Sequence, residues 1–169
     1  MIRPVQLSDA AAIARIYQPY VTNTTISFEI EPPSVDEITA RIEKILARHS
    51  WLVYESEGTL LGYAYTSTFR ERPAYQSTVE STIYLDQAAI GRGIGRMLYQ
   101  ALLDDAATKG YREALGVIAL PNELSIKLHE KLGFVKVAHL EKIGYKFDHW
   151  IDVSIWQRHL TTSASPPRF

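Results

Sequence analysis

Apolar positions along the chain follow the period of a helix in some segments and the period of a strand in others. Helical spacing follows four start signals, namely Ser8-Asp9, the capping box Ser34–Glu37, the glycine-rich segment 90–96, and Asn122. Runs rich in β-branched and aromatic residues predict strands over 2–6, 51–54, 59–67, 78–85, 114–120, 134–140 and 150–156. The resulting order is β-α-α-β-β-β-α-β-α-β-β. A meander before a β-α-β stretch predicts an α+β fold with a mixed sheet, not a doubly wound parallel one.

Three local features refine this prediction of helices and strands. The segment Val21–Pro33 is polar and β-branched and ends in Pro-Pro, which predicts a loop. The strand 114–120 is almost wholly apolar, which predicts burial on both faces. The inner face of the third helix is predicted to carry Met97, Leu98, Ala101, Leu102 and Ala106.

Residues 1–160 are expected to form a single domain, and the Ser/Pro-rich residues 161–169 a frayed C-terminal tail.

Composition narrows the classes of function. The 169 residues are 46% hydrophobic and 22% charged, as in an ordinary globular domain. A net charge of −1 leaves no basic excess to neutralise phosphates, so no nucleic-acid partner is expected. No apolar run approaches the roughly 20 residues of a membrane span, and no signal-peptide core is present, so we expect a cytoplasmic protein without a membrane partner. The lack of cysteine excludes disulfides and a cysteinyl acyl-enzyme.

Glycines 91, 93 and 95 lie between a predicted strand and a predicted helix. Backbone N–H groups at such a helix start are suited to phosphate oxygens. A dinucleotide-binding loop has its third glycine at relative position six, whereas here it is at position five, and no Gly-Lys-Ser/Thr follows for a nucleoside triphosphate. A tight turn that only caps the helix is the structural alternative.

The surroundings of this loop resemble the GNAT superfamily of acyl-CoA N-acetyltransferases. Within it, four segments look like phosphinothricin acetyltransferases and their methionine-sulfoximine-acetylating relatives: Thr78–Tyr84, Leu120–Asn122, Leu128–Phe134 and Gly144–Phe147. The resemblance runs from about residue 2 to 158. It implies a mixed, mostly antiparallel central sheet flanked by about four helices, and a homodimer. Ile90 departs from the family pattern, which has a glutamine or arginine there.

The resemblance also implies two catalytic residues. Glu80 matches the general base of the phosphinothricin acetyltransferase group, acting directly or through a water. An ordinary glutamate has a pKa near about 4.3, so burial or a water relay is needed for it to take a proton from an ammonium. His129 stands where many GNAT enzymes carry a tyrosine that protonates the departing thiolate. Both a general acid and a substrate contact remain open for His129.

Acetyl-CoA is the implied co-substrate. Its pyrophosphate is expected on the glycine loop, formed by Gly91, Arg92, Gly93, Ile94, Gly95 and Arg96. Its pantetheine arm is expected along the backbone of Ile83, Tyr84 and Leu85, with Asn122 and Ser125 nearby. Asn122 is equally suited to cap a helix.

The implied acceptor pocket is lined by Phe28, Arg70, Arg72, Tyr75 and Tyr84. Arginine binds a carboxylate or phosphinate through paired hydrogen bonds. The alternatives are a solvated basic loop for the arginines and a core anchor for Phe28. The histidine spacing, mostly ten residues, matches no metal template, so no metal is expected.

The sequence therefore predicts an enzyme that moves acetyl from acetyl-CoA to the α-amine of a small amino acid, by direct attack in a ternary complex. Phosphinothricin, methionine sulfoximine and methionine sulfone are the candidate acceptors. The alternatives are an acyl-CoA-sensing module without catalysis and an acetyltransferase acting on peptide or protein amines.

Overall fold

The computed structural model describes residues 1–161, and the predicted frayed tail lies outside the described residues beyond Thr161. A seven-stranded sheet with strand order β1-β2-β3-β4-β5-β7-β6 forms the centre. The strands are β1 Ile2–Pro4, β2 Trp51–Ser56, β3 Thr59–Thr68, β4 Thr78–Leu85, β5 Glu113–Ala119, β6 Val135–Lys146 and β7 His149–His159. The helices are α1 Ala10–Asn23, α2 Val35–Leu46, α3 Ile94–Thr108 and α4 Glu123–Lys131. All paired strands are antiparallel except β4 and β5. This order of elements and the mixed sheet confirm the predicted fold class.

Local sequence explains where α2 begins, whereas packing explains where α1 ends. At α2, the Ser34 hydroxyl accepts a hydrogen bond from the Glu37 N–H at 3.2 Å, and the Glu37 carboxylate accepts one from the Ser34 N–H at 2.7 Å. Helix α1 continues to Asn23, so the loop begins three residues later than the predicted start at Val21. The side chain of Val21 is fully buried, and its packing outweighs the low helix propensity of the residues around it.

Two hydrophobic clusters cover the two faces of the sheet. One lies under α1 and α2, and the other under α3 and α4. Two predictions of burial were wrong. Met97 is 49% exposed, and the fully buried side chain in its place is that of Tyr99. Val117 on β5 is 46% exposed, because it lies beyond the last residue at which β4 pairs with β5.

The sheet opens between β4 and β5. These parallel strands pair at only three positions, and the last pair is Glu80 with Leu115. From Ser81 onward, β4 stays paired with β3 but has no strand on its other side. Beyond Glu80, the side of β4 that faces the opening therefore has no strand partner, and an extended ligand could pair with the backbone there.

The loop between α1 and α2 is fixed to β6. Lys146 is only 4% exposed, and its ammonium group donates to the carbonyl oxygens of Val21 and Ser27, both at 2.7 Å. Burial lowers the pKa of Lys146. In the same loop, the Phe28 ring covers Gly144, where an added Cβ would lie 2.3 Å from the ring atom Cε2. The loop is thus held against the edge of the sheet.

Candidate active site

Glu80 lies at the point where β4 and β5 part. Its strand neighbours Val79 and Ser81 are buried on the α3 side, so the Glu80 side chain projects from the opposite face, the one that α1 and α2 cover. The side chain is half-buried, and this burial raises the pKa of its carboxyl group. A carboxylate in such a setting is a better proton acceptor than one in water.

A cavity of about 480 Å³ lies on this same face. Ser67, the cross-strand partner of Glu80, lines it, as do Tyr65 and Tyr84. Trp51 forms part of the wall and stacks on Tyr65, with ring centroids 4.4 Å apart. The indole N–H of Trp51 is buried and has no acceptor among residues 1–161. The cavity therefore combines an aromatic wall with a neighbouring carboxylate.

Helix α2 contributes cations to the cavity that the sequence analysis missed. Arg41 and Lys44 line it from α2, and Arg48 lines it from the turn that follows the helix. Arg41 donates to both oxygens of the Glu29 carboxylate, at 2.6 and 3.0 Å. The spacing i, i+3, i+7 was the available signal, because it places side chains on one helix face.

The predicted anion-binding loop lies next to this cavity but lines a different one. Arg70, Arg72 and Tyr75 line a smaller cavity of about 150 Å³. The Arg70 guanidinium stands 5.2 Å from the Phe69 ring centroid and 5.7 Å from that of Tyr75. Arg48 lines both cavities and so joins them.

Of the other two predicted substrate contacts, Tyr84 lines the large cavity. Its ring packs edge-on against Tyr17 and Tyr20, at centroid distances of 4.8 and 5.0 Å. Phe28 is partly exposed and covers Gly144, as described above. The structure thus brings Tyr84 close to the Glu80 face and leaves Phe28 at the far end of the α1–α2 loop.

His129 lies on the other face of the sheet and is 4% exposed. Its Nδ1 is 2.8 Å from the Ser125 carbonyl oxygen, to which it donates, and its Nε2 is 3.1 Å from the Tyr99 hydroxyl. The Tyr99 hydroxyl is in turn 2.8 Å from that of Ser81. Burial lowers the pKa of His129. The sheet opening therefore has Glu80 on one side and this hydrogen-bonded group on the other.

The glycine loop has the conformation that an anion site needs. Gly91 and Gly93 have φ angles of +81° and +80°, which glycine adopts without strain. Gly93 is the N-cap of α3 and offers no side-chain acceptor to the first-turn N–H groups. An added Cβ at either glycine would meet no atom within 4 Å, so no other part of the described chain covers the loop at these two positions. Such a helix start fits a pyrophosphate.

Comparison with known proteins agrees with this geometry. The chain matches the family described as "Acetyltransferase (GNAT) domain" over residues 2–156. It is 39% identical to phosphinothricin N-acetyltransferase of Streptomyces viridochromogenes over 167 residues, covering 99% of this chain and 91% of that protein. It is 33% identical to L-methionine sulfoximine/L-methionine sulfone acetyltransferase of Salmonella typhimurium over 166 residues, covering 98% and 97%. The chain belongs to the GNAT acetyltransferase family.

Solved GNAT structures match the whole fold. The phosphinothricin acetyltransferase of Sinorhizobium meliloti superimposes with a TM-score of 0.95 at 34% identity, covering 99% of this chain and 92% of that one. A putative acetyltransferase of Salmonella typhimurium gives a TM-score of 0.95 at 32% identity, covering 99% and 97%. Both of those structures contain acetyl-CoA. The family prediction is confirmed, and the acetyl-CoA complexes support the predicted co-substrate.

The remaining predicted coenzyme contacts surround the opening of the GNAT sheet. Ile83 and Leu85 pack their side chains against the α3 cluster, which leaves their backbone at the opening. Asn122 caps α4, accepting a hydrogen bond from the Ser125 N–H at 3.2 Å. Arg92 and Arg96 are exposed beside the glycine loop.

Within residues 1–161, no cluster of acidic, histidine or cysteine side chains is arranged to hold a metal, and no helix is long and apolar enough to cross a membrane.

Proposed function

We propose that this GNAT enzyme transfers acetyl from acetyl-CoA to the α-amine of a small amino acid of the phosphinothricin, methionine sulfoximine or methionine sulfone type. The observation that carries the proposal is the Glu80 carboxylate, half-buried beside an amino-acid-sized cavity and at the start of the sheet opening. The names of the relatives at 33–39% identity support this class of acceptor.

Glu80 acts as the general base. An α-amine is mostly protonated at neutral pH, and only the neutral amine attacks a carbonyl carbon. The raised pKa of Glu80 brings its basicity closer to that of the amine, which favours proton transfer directly or through one water. Its place on the cavity side of the sheet allows the amine to approach from the cavity.

The residues around the opening hold the acetyl donor. Acetyl-CoA supplies an activated acetyl thioester. The α3 N-terminus and Gly91–Arg96 bind its pyrophosphate, and the backbone of Ile83–Leu85, on the side that faces away from β3, binds its pantetheine arm. In the ternary complex the amine nitrogen bonds to the acetyl carbon as the carbon–sulfur bond breaks. The leaving thiolate then requires one proton.

His129 belongs to the hydrogen-bonded group on the other side of the sheet opening from Glu80. In its neutral form it donates through Nδ1 to Ser125 and accepts at Nε2 from Tyr99, so neither nitrogen is free for a direct contact with the acceptor. We assign His129 to the coenzyme side of the opening, where it orients the Tyr99 hydroxyl. The leaving thiolate takes up the proton that the amine nitrogen loses as the carbon–sulfur bond breaks. This assignment separates the roles of Glu80 and His129 by the face of the sheet on which each lies.

The test is release of free coenzyme A from acetyl-CoA with phosphinothricin, methionine sulfone, methionine sulfoximine, common amino acids and short peptides. We expect saturable release with free amino acids of the first type and a product heavier by one acetyl group. Turnover of peptides alone would instead support an acetyltransferase of protein amines. Binding of acetyl-CoA with no turnover of any amine would support a sensing module.

We also propose that the protein is cytoplasmic and that two copies associate through the β6–β7 hairpin. The hairpin exposes large apolar side chains, among them Val135, Val137, Ile143, Tyr145, Phe147 and Trp150. Such a surface is unusual on a monomer. Trp150 is 63% exposed whereas Trp156 is 6% exposed in the core, so only Trp150 is available to an interface. Sedimentation of the wild type and of Trp150→Glu tests this association, since the substitution should yield monomers.

A further inference from the structure

The cations of α2 are not equally neutralised. Arg41 is held by the two oxygens of Glu29, which also accepts a hydrogen bond from the Tyr17 hydroxyl at 3.0 Å. Lys44 and Arg48 line the same cavity, and within residues 1–161 neither side chain forms an ion pair. Two positive charges therefore face the cavity without a partner.

Acidic and basic groups around the cavity lie on different elements of the fold. The Glu80 carboxylate lies at the strand side, next to the lining residue Ser67. The unpaired cations lie on the helix side, and Glu71 is the acidic residue in the lining. An amino acid whose amine lies at Glu80 and whose side chain enters the cavity would reach the α2 side. A cavity of about 480 Å³ has room for that extension.

We propose that Lys44 and Arg48 form a subsite for an anionic group at the end of the acceptor's side chain. The inference rests on the proposed function and adds to it the residues that select among acceptors. Arginine offers paired donors and lysine a point charge to an oxyanion. The aromatic wall of Trp51 and Tyr65 suits an apolar substituent on the same end group.

A comparison of two candidate acceptors separates recognition of the end group's charge from recognition of its shape. Phosphinothricin ends in a methylphosphinate, and methionine sulfone ends in a methylsulfone on a side chain of the same length. Both end groups are tetrahedral with two oxygens and one methyl group, but only the phosphinate carries a negative charge. A subsite that recognises charge therefore distinguishes the two, whereas one that recognises shape does not.

The experiment compares kcat/KM for these two acceptors in the wild type, Lys44→Gln, Arg48→Gln and the double variant. The ratio of phosphinothricin to methionine sulfone should fall roughly tenfold or more in the double variant, which corresponds to about 1.4 kcal/mol. The value for methionine sulfone should stay within about twofold. In the wild type the same ratio should fall as salt is raised, because both side chains are exposed to solvent.

Lys131→Gln on α4 is the matched control, since it removes one exposed lysine charge away from the cavity and should leave both acceptors unchanged. Arg70→Gln and Arg72→Gln test the sequence-based expectation. An equal loss for both acceptors, an unchanged ratio, or a ratio that moves only with Arg70→Gln or Arg72→Gln would overturn the subsite.

Affinities of the two acceptors, measured by calorimetry, test the subsite independently of catalysis. If the wild type turns over neither acceptor, the proposed function fails. The subsite then stands or falls on whether the wild type binds phosphinothricin more tightly than methionine sulfone and the double variant does not.

Discussion

Replacing Gly116 with alanine tests the packing around His129. An ideal Cβ at position 116 would lie 2.3 Å from Nε2 and 2.6 Å from Cδ2 of the imidazole, well inside van der Waals contact. The ring has little room to withdraw, because it packs against Phe134 at 4.9 Å and Trp156 at 6.5 Å between centroids. We therefore expect the substitution to push His129 away from Tyr99.

The expected cost follows from two contributions. Overpacking of a tight core costs about 1–3 kcal/mol. Loss of the 3.1 Å hydrogen bond between Tyr99 and His129 adds about 1 kcal/mol. The sum of about 2–4 kcal/mol lowers Tm by roughly 4–16 °C for a chain of this length.

Thermal melts of a double-mutant cycle provide the assay. In a His129→Ala background the clash is absent, so Gly116→Ala should cost less than about 1 kcal/mol there. A substitution that is neutral in the wild type, or that costs the same in both backgrounds, would refute the reasoning. Kinetics of Gly116→Ala at a temperature where it is folded should also show a lower kcat, because the His129 hydrogen bonds are displaced.

Three further perturbations have outcomes that the structure determines. Lys146→Met leaves the carbonyls of Val21 and Ser27 without their buried donor and should cost about 2–4 kcal/mol in a denaturant titration. Glu80→Gln should raise Tm near neutral pH, because it removes the free-energy penalty for burying a charged carboxylate. That penalty is present once the pH exceeds the raised pKa of the folded state and absent below the ordinary glutamate pKa, so the difference in Tm should disappear in acid. Ser34→Ala removes the α2 cap and should cost about 1 kcal/mol, measured in the same titration.

The sequence was sufficient to predict those features of the structure that a local signal determines. The capping box at Ser34 begins α2, Asn122 caps α4, and the positive-φ glycines form the turn before α3. Each of these depends on a few adjacent residues. The same holds for the order of helices and strands along the chain, since it follows from the alternation of short apolar segments and turns.

Features that depend on distant pairing were not available from the sequence. The point at which β4 leaves β5 is set by strand register, so the exposure of Val117 and the separation of Glu80 from His129 did not follow from the local pattern. Met97 and Tyr99 lie two positions apart on one helix, and only the packing of α3 decides that the tyrosine is inside. The cations of α2 were missed for the same reason, because helical spacing alone does not show which face meets a cavity.

The most direct test of the account is the kinetics of Glu80→Gln beside its wild type and Glu130→Gln, an exposed glutamate on α4. We expect kcat/KM for the amino-acid acceptor to fall by about 100-fold or more near neutral pH, in the range that general base catalysis provides. The affinity for acetyl-CoA should be unchanged, and Glu130→Gln should match the wild type. Full turnover by Glu80→Gln at neutral pH would contradict the assignment of Glu80 as the base.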